Sequence, residues 1–336
     1  MRRFLAPPAR EGLEAGNRPG FSVLIPAYQA ADIVGEAVES ALTQTLPPHE
    51  VIVCDDGSTD DIAGALEPFR ARITFLRKDN GGEASAKNTA ARAASGDFVV
   101  FLDADDTYMP ERLEALAELA AARPDLDILT TDAHLELDGR TLRRCYAEGF
   151  RFVVDDQRRG ILNDNFIFGH AAVRRERLLA VGGFDESILY ATDWECLIRL
   201  IIGGSRAGLV DEPLARYRLR SGSLSSQRSR MFAGRVQTLE KAARLPGLSA
   251  GEHDVLARSL AHNQRRFAMA EAREALVSGG AEARRRALAV ALGRGFGPRT
   301  RAKALASVIS PRAARRLLSG RERETTGGVL LPPAVD

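Results

Sequence analysis

Three clusters of carboxylates are the residues of this 336-residue sequence best suited to chemistry. They are Asp55-Asp56-Gly57-Ser58, the run Asp103-Ala104-Asp105-Asp106, and Asp193-Trp194-Glu195. Like charges packed together are costly unless something positive arrives. Carboxylates at i and i+2 offer oxygen ligands to a hard divalent cation, and Mg2+ or Mn2+ takes one or two of them together with substrate phosphates. A metal diphosphate is therefore the natural guest at Asp103–Asp106. Helix capping is the competing explanation, but one cap needs one residue. It suits Asp60 and does not account for the run at Asp103. The segment Asn80-Gly-Gly-Glu-Ala-Ser-Ala-Lys-Asn88 opens a helix whose N–H groups, with Lys87, could face a phosphate. No GK[ST] follows its glycines, so it is not a Walker A loop, and a simple connecting loop is the plainer reading.

The elements that must carry these residues alternate along the first half. Phe21–Pro26, Val51–Cys54, Ile73–Leu76, Phe98–Leu102 and Leu126–Leu129 read as strands. Ala30–Thr45, Asp60–Phe69, Ala84–Ala94 and Glu111–Ala122 read as helices, the last with Pro110 at N1. Continuous apolar strands separated by helices predict a mostly parallel sheet covered on both faces. Ligands of such sheets bind beyond the carboxyl ends of the strands, where two of the acidic clusters fall. After Thr130 the pattern changes. Asp138-Gly139 reads as a hairpin turn, Val173–Val181 as a short helix, Asp193–Ile202 as a helix, and Leu209-Val210 and Leu214–Leu219 as strands. From Met231 the chain is helical, with breaks near Pro246-Gly247, Gly279-Gly280, Gly295–Pro298 and Pro311.

Composition sets the outer limits. The sequence is 45% hydrophobic and 27% charged, globular values with enough chain to bury a large core. Cys54, Cys145 and Cys196 lie far apart, which excludes a disulfide scaffold, argues against a structural zinc site and suggests a reducing cytosol. No apolar run reaches the roughly 18 residues of a membrane-spanning helix, and Met1–Gly20 lacks a signal-peptide core. The net charge of +2 hides an asymmetry: residues 227–336 hold 21 Lys+Arg against 9 Asp+Glu, leaving 26 against 36 in residues 1–226.

Taken in order, Phe21-Ser-Val-Leu-Ile-Pro-Ala-Tyr28, Val51-Ile-Val-Cys-Asp-Asp-Gly-Ser-Thr-Asp60, Asn80–Asn88 and Gly96-Asp-Phe-Val-Val-Phe-Leu-Asp-Ala-Asp-Asp106 resemble glycosyltransferase family 2, the inverting enzymes of GT-A fold. The resemblance runs on through Gly182-Gly-Phe-Asp-Glu186 and Thr192-Asp-Trp-Glu195 to Tyr217-Arg218, covering residues 20–225. It implies an α/β, Rossmann-like GT-A domain there. A disordered leader at 1–19, a basic helical region at 226–320 and a loose tail at 321–336 complete the expected organisation.

The resemblance also implies roles. Pro26, Ala27 and Tyr28 line a nucleobase pocket, and Asp56, with Asp55, accepts a hydrogen bond from the base. Lys87 sits near the donor ribose or phosphates. Asp103, Ala104 and Asp105 form the DxD motif, with Asp103, Asp105 and Asp106 near Mn2+ or Mg2+. Asp193 is the general base, and Trp194 and Glu195 face the acceptor, Trp194 as a stacking surface. Donor and acceptor are then a nucleotide-diphospho-sugar, UDP by default, and a glycan or lipid-linked hydroxyl.

Two positions depart from the pattern. Many relatives carry a metal-binding His where this chain has Arg220, a residue that can instead pair with the diphosphate. Thr192 replaces a frequent acidic residue. No QxxRW-type motif is present, which favours transfer of a single sugar over processive synthesis. Two other classes compete: a non-catalytic nucleotide-sugar-binding or scaffold protein, and a sugar-phosphate nucleotidyltransferase, which wants a glycine- and basic-rich loop where Ala27-Tyr-Gln-Ala-Ala31 stands. The Arg/Leu-rich rear helices suit either a soluble bundle or the anionic inner face of a membrane; no motif supports nucleic-acid binding. A cytoplasmic enzyme, with peripheral membrane contact through this region as an open alternative, is the resulting expectation.

Overall fold

The computed structural model describes residues 2–10, 18–146, 150–219, 228–278, 281–293 and 295–310. The first strand, β1 (Phe4–Leu5), is followed by β2 (Phe21–Ala27), α1 (Val34–Leu42), β3 (Glu50–Asp55), α2 (Ile62–Ala65), β4 (Thr74–Arg77), α3 (Glu83–Ala93) and β5 (Phe98–Phe101). Strands β5, β2, β3 and β4 lie side by side in that order, all parallel. Side chains alternate across β2. Val23 and Ile25 pack with Val34, Ala37, Val38 and Ala41 of α1, while Leu24 packs with Ala84, Ala90 and Ala91 of α3. Burial on both faces is why these strands read as unbroken apolar runs.

The second half contributes β6 (Thr107–Tyr108), α4 (Arg112–Ala122), β7 (Ile128–Leu137), β8 (Arg140–Arg144), α5 (Gln157–Asn163), β9 (Ala172–Arg174), α6 (Arg175–Ala180), α7 (Thr192–Ile202) and β10 (Ala207–Leu219). The hairpin expected at Asp138-Gly139 joins β7 to β8, and both turn residues have positive φ, 49° and 74°. The whole sheet runs β1-β10-β7-β9-β5-β2-β3-β4, with β6 on β10 and β8 on β7. Helices α3, α5 and α7 cover the face opposite α1 and α4. This is a mixed α/β architecture with helices on both sides of a mostly parallel sheet.

Several local expectations are corrected. Val173 belongs to β9, a short antiparallel strand between β5 and β7, rather than to a helix. The strands expected at 209–210 and 214–219 are one, β10, whose register against β7 shifts on either side of Pro213, a residue with no N–H for the ladder. Pro110 precedes the α4 N-cap Glu111 instead of occupying N1. Asp61, not Asp60, caps α2; Asp60 accepts the Ala31 N–H at 2.7 Å. The leader is not disordered throughout. Phe4 and Leu5 pair antiparallel with Val210 and Leu209, and Arg2 binds Glu118 and Glu212.

Four helices follow: α8 (Arg228–Ala242), α9 (Ala250–Ser278), α10 (Ala281–Leu292) and α11 (Pro298–Ile309). Leu239, Ala242 and Leu256 join the α7 side of the core. A capping box starts α9, with Ser249 N–H donating to Glu252 at 2.7 Å and Glu252 N–H to Ser249 Oγ at 3.3 Å. The expected boundary at 225/226, Arg220 and the chain beyond Ser310 lie outside the described residues.

Candidate active site

The carboxyl ends of β2, β3 and β5 converge, and each delivers candidate residues: Ala27-Tyr28, Asp55-Asp56 and Asp103. Tyr28 is 54% exposed, as a surface offered to a flat ligand must be. Its neighbour Gln29 is held at positive φ by the 58–60 loop, accepting from the Thr59 and Asp60 N–H groups and donating its own to Ser58 Oγ. Gly57, at φ +74°, passes so close to Asn80 that a Cβ would stand 2.6 Å from its nitrogen. A hollow of about 850 Å³ lies beside this turn, lined by Gly57–Thr59 and Arg77–Asn80.

The two acids at the end of β3 divide their work. Asp55 is fully buried, accepts the Ser58 N–H at 2.9 Å and lies 3.4 Å from Arg77. It builds the turn, which removes it from contact with a base. Asp56 accepts from Lys78 at 2.8 Å and from the Gly81 and Gly82 N–H groups at 3.0 and 2.7 Å. The glycine N–H groups that the sequence offered to a phosphate are thus spent on Asp56. A carboxylate accepts about four hydrogen bonds, so Asp56 keeps one position for a ligand.

The run after β5 folds into a tight turn, with Asp106 N–H donating to Asp103 O at 3.0 Å. Asp106 is buried and accepts the Arg218 N–H of β10 at 2.7 Å. The third member of the cluster is one that sequence reasoning missed, His170. Strand β9 is antiparallel to β5, pairing Ala172 with Val100, so its first residues lie beside the last residues of β5. That geometry puts His170 Nε2 2.7 Å from Asp106 Oδ2 and 3.8 Å from Asp103 Oδ2. Tyr108, Phe168 and Tyr217 surround the ring, and Arg112, itself fully buried, donates to the His170 carbonyl.

Asp103, Asp106 and His170 each offer one ligand atom within 4.8 Å of the others. His170 Nε2 and Asp106 Oδ2 are buried and face one another at 2.7 Å, with no other hydrogen-bond partner among the described residues. Two buried ligand atoms this close, with Asp103 beside them, fit a cation. Burial, helped by the like charge of Asp103, pushes Asp106 upward against the pull of His170; burial opposes ionisation of His170, but Asp106 and Asp103 raise it. Asp105 is half-buried and lies outside this group, and His170 is a candidate ligand that the sequence reading did not include. The only sequence signal was a histidine beside a short apolar run.

Lys87 projects from α3 onto the same place. It pairs with Glu83, lies 3.8 Å from Asp103 and sits over the rings of Phe101 and Phe184. Burial works to lower its basicity, but Glu83, Asp103 and Asp193 outweigh it and hold it well above the usual lysine range. Its pull, with that of His170, overcomes burial at Asp103 and keeps that carboxyl well below the usual range.

Asp193 stands in the first turn of α7, two residues after the N-cap Ala191, so it is not the capping residue. It is partly exposed, accepts from Asn165 Nδ2 at 3.2 Å and is near enough for Lys87 to feel its charge. The next two residues face inward. Trp194 is 1% exposed, donates to Ile161 O at 2.8 Å and has the Arg235 guanidinium over its ring at 4.5 Å. Glu195 is buried and ion-paired with Arg199 at 2.6 Å. Both expected acceptor contacts are therefore corrected to structural ones: the apolar stripe of α7 turns them into the core.

Comparison with known proteins bears on the family and the fold. Residues 22–182 match the family described as Glycosyl transferase family 2. The Bacillus subtilis protein described as a putative teichuronic acid biosynthesis glycosyltransferase is 30% identical over 216 residues, 63% of this chain and 83% of that protein. The chain belongs to glycosyl transferase family 2. The chain is also 33% identical over 189 residues to Escherichia coli chondroitin synthase, matching 54% of this chain but only 26% of that larger protein. It thus spans about a quarter or less of the synthases it resembles. Among solved structures, S. aureus TarS with UDP-GlcNAc superposes with TM-score 0.58 at 19% identity, covering 91% of this chain and 92% of that one. A Pyrobaculum calidifontis mannosyltransferase in complex with GDP-Man and Mn2+ gives 0.58 at 21%, covering 92% and 90%. These likenesses carry the GT-A fold.

Proposed function

We propose that this glycosyltransferase moves one sugar from a nucleotide-diphospho-sugar to a hydroxyl of a glycan or lipid-linked acceptor, with inversion. The observation that carries the reading is the juxtaposition of Asp193 with the Asp103–Asp106–His170 cluster across Lys87. Asp193 takes the proton of the attacking hydroxyl as the new bond forms at the anomeric carbon and the bond to the diphosphate breaks. One base with no second nucleophilic carboxylate gives a single displacement, hence inversion. Lys87, buried and held protonated, faces the charge left on the leaving diphosphate. Asp103, Asp106 and His170 would hold Mn2+ or Mg2+, which supplies further charge neutralisation there.

Tyr28 offers its exposed ring to the nucleobase, and Asp56 offers its remaining acceptor position. Pro26, Ala27 and Ala104 shape the backbone around them. Relatives whose printed names concern teichuronic acid and succinoglycan support a cell-surface polysaccharide as the product, and the nucleotide sugars named with the solved structures support a UDP- or GDP-sugar donor. Among the described residues no helix is long and apolar enough to cross a membrane.

The test pairs Asp193→Asn with a calorimetric titration of UDP, GDP and dTDP, with and without Mn2+. Transfer activity is expected to fall roughly 10²- to 10⁴-fold while nucleotide binding stays within twofold. Full activity in Asp193→Asn removes it as base. Failure of all three nucleotides to bind removes the donor site and returns the scaffold reading.

A further inference from the structure

We propose that α10 and α11 form a docking face for an anionic lipid bilayer. The apolar residues of these helices divide sharply. Ala283, Ala287 and Val290 are buried, whereas Leu288, Leu292, Leu305 and Ile309 are 42%, 66%, 46% and 78% exposed. At about 100° per residue, Ala302, Leu305, Ala306 and Ile309 share one side of α11, with buried Ser307 opposite. Arg299 and Lys303 border that stripe on one flank and Arg301 on the other. From Ala283 to Ser310 the sequence has seven Lys and Arg and no carboxylate. Arg285 and Arg286 are tied to Glu282 and Glu271, and Arg301 to the Ala291 carbonyl; Arg284, Arg299 and Lys303 are exposed.

An exposed apolar stripe with cations on both flanks is matched by a surface that is apolar below and anionic above, as a bilayer interface is. A second copy would bring the same positive field against itself. A nucleic acid would use the cations but leave the leucines in water. This inference does not rest on the catalytic reading, and its test reads binding alone.

The experiment is flotation of the full chain with neutral phosphatidylcholine vesicles and with vesicles holding about 30 mol% phosphatidylglycerol. Wild type is expected to float with the anionic vesicles only, less so as salt rises. Arg299→Gln/Lys303→Gln should lower partition about 25-fold, at roughly fivefold per cation. Leu305→Ser/Ile309→Ser should lower it at least about tenfold, with an unchanged melting temperature. If that pair loses its melting transition, Leu292→Ser carries the same test. The proposal is overturned by absent flotation, by equal flotation with neutral vesicles, or by leucine variants that float like wild type. A changed oligomeric state in the leucine variants with unchanged flotation would assign the face to a second copy instead.

Discussion

Replacing His170 by glutamine separates a cation site from a merely structural histidine. The ring is 1% exposed, with Nε2 at 2.7 Å from Asp106 and 3.8 Å from Asp103. At an effective dielectric of about 20, a charge pair at 3.8 Å is worth about 4 kcal/mol. Without metal, a proton on His170 supplies that charge; with metal, the ion supplies it and His170 becomes a neutral ligand. Removing even an outer-sphere partner costs a metal site about 10- to 100-fold in affinity, and His170 is one of three direct candidates. His170→Gln is therefore expected to weaken Mn2+ binding at least about 100-fold, roughly 3 kcal/mol, measured calorimetrically in the presence of whichever nucleotide binds. The metal-free variant should also melt earlier, since an uncompensated buried charge costs about 3–5 kcal/mol, and saturating Mn2+ should recover part of that loss. Asp105→Asn, outside the group, should change Mn2+ affinity less than about fivefold. Wild-type Mn2+ binding by His170→Gln, or a larger loss in Asp105→Asn, refutes the assignment.

Three further outcomes are open to measurement. Trp194→Ala should destabilise the fold by about 3–5 kcal/mol in denaturant titrations, with acceptor KM unchanged in whatever remains folded; a raised KM at full stability would restore the stacking role. Gly183 has φ +75°, and a Cβ there would stand 2.3 Å from Asn88 Oδ1, which accepts the Phe184 N–H. Gly183→Ala should therefore cost about 2 kcal/mol, and a neutral result would show that the loop shifts freely. Arg158 and Ser249 hold Glu252 at about 2 against a usual 4.5, burial opposing them. Stability from that depressed carboxyl is fully present above pH 4.5 and is lost as pH falls through about 2, so Glu252→Gln should cost about 1–2 kcal/mol at pH 7 and flatten the acid limb of a stability–pH curve.

Strands β2, β3 and β5 were legible because burial on both faces makes their central residues nearly all apolar, and α1 because its buried side repeats at helical spacing. The acids after β3 and β5 were legible because strand ends expose them together. What was not legible depends on partners distant in sequence. Ala172–Arg174 becomes a strand only because β5 and β7 flank it, and its local pattern equally suits the start of the following helix. His170 was invisible for the same reason: its place by Asp106 is created by the direction of β9. Trp194 was misread because a large aromatic beside an acid suits a sugar platform and a core equally; the side of α7 that packs on Ile161 decided it. Asp55 and Asp56 look equivalent in sequence, yet Asp55 is the last residue of β3 and Asp56 the first of the turn beyond it, and only Asp56 meets Lys78 and the glycine loop.

The placement of β9 has a consequence for how the molecule comes together in time. Residues 21–101 supply β2 to β5, which pair among themselves, whereas β7 and β10 pair with one another much later in the chain. Among the described residues the ladder passes from one set to the other through the three residues of β9, a latch that cannot close until residue 174 has been synthesised. Asp103 follows the early set, while His170 arrives with the latch. A ligand gripping both binds only the closed form, and at 100 times its Kd adds about 2.7 kcal/mol to closure. Metal starvation would then leave a larger share of chains with the latch open, a loss of sheet integrity as well as of catalysis.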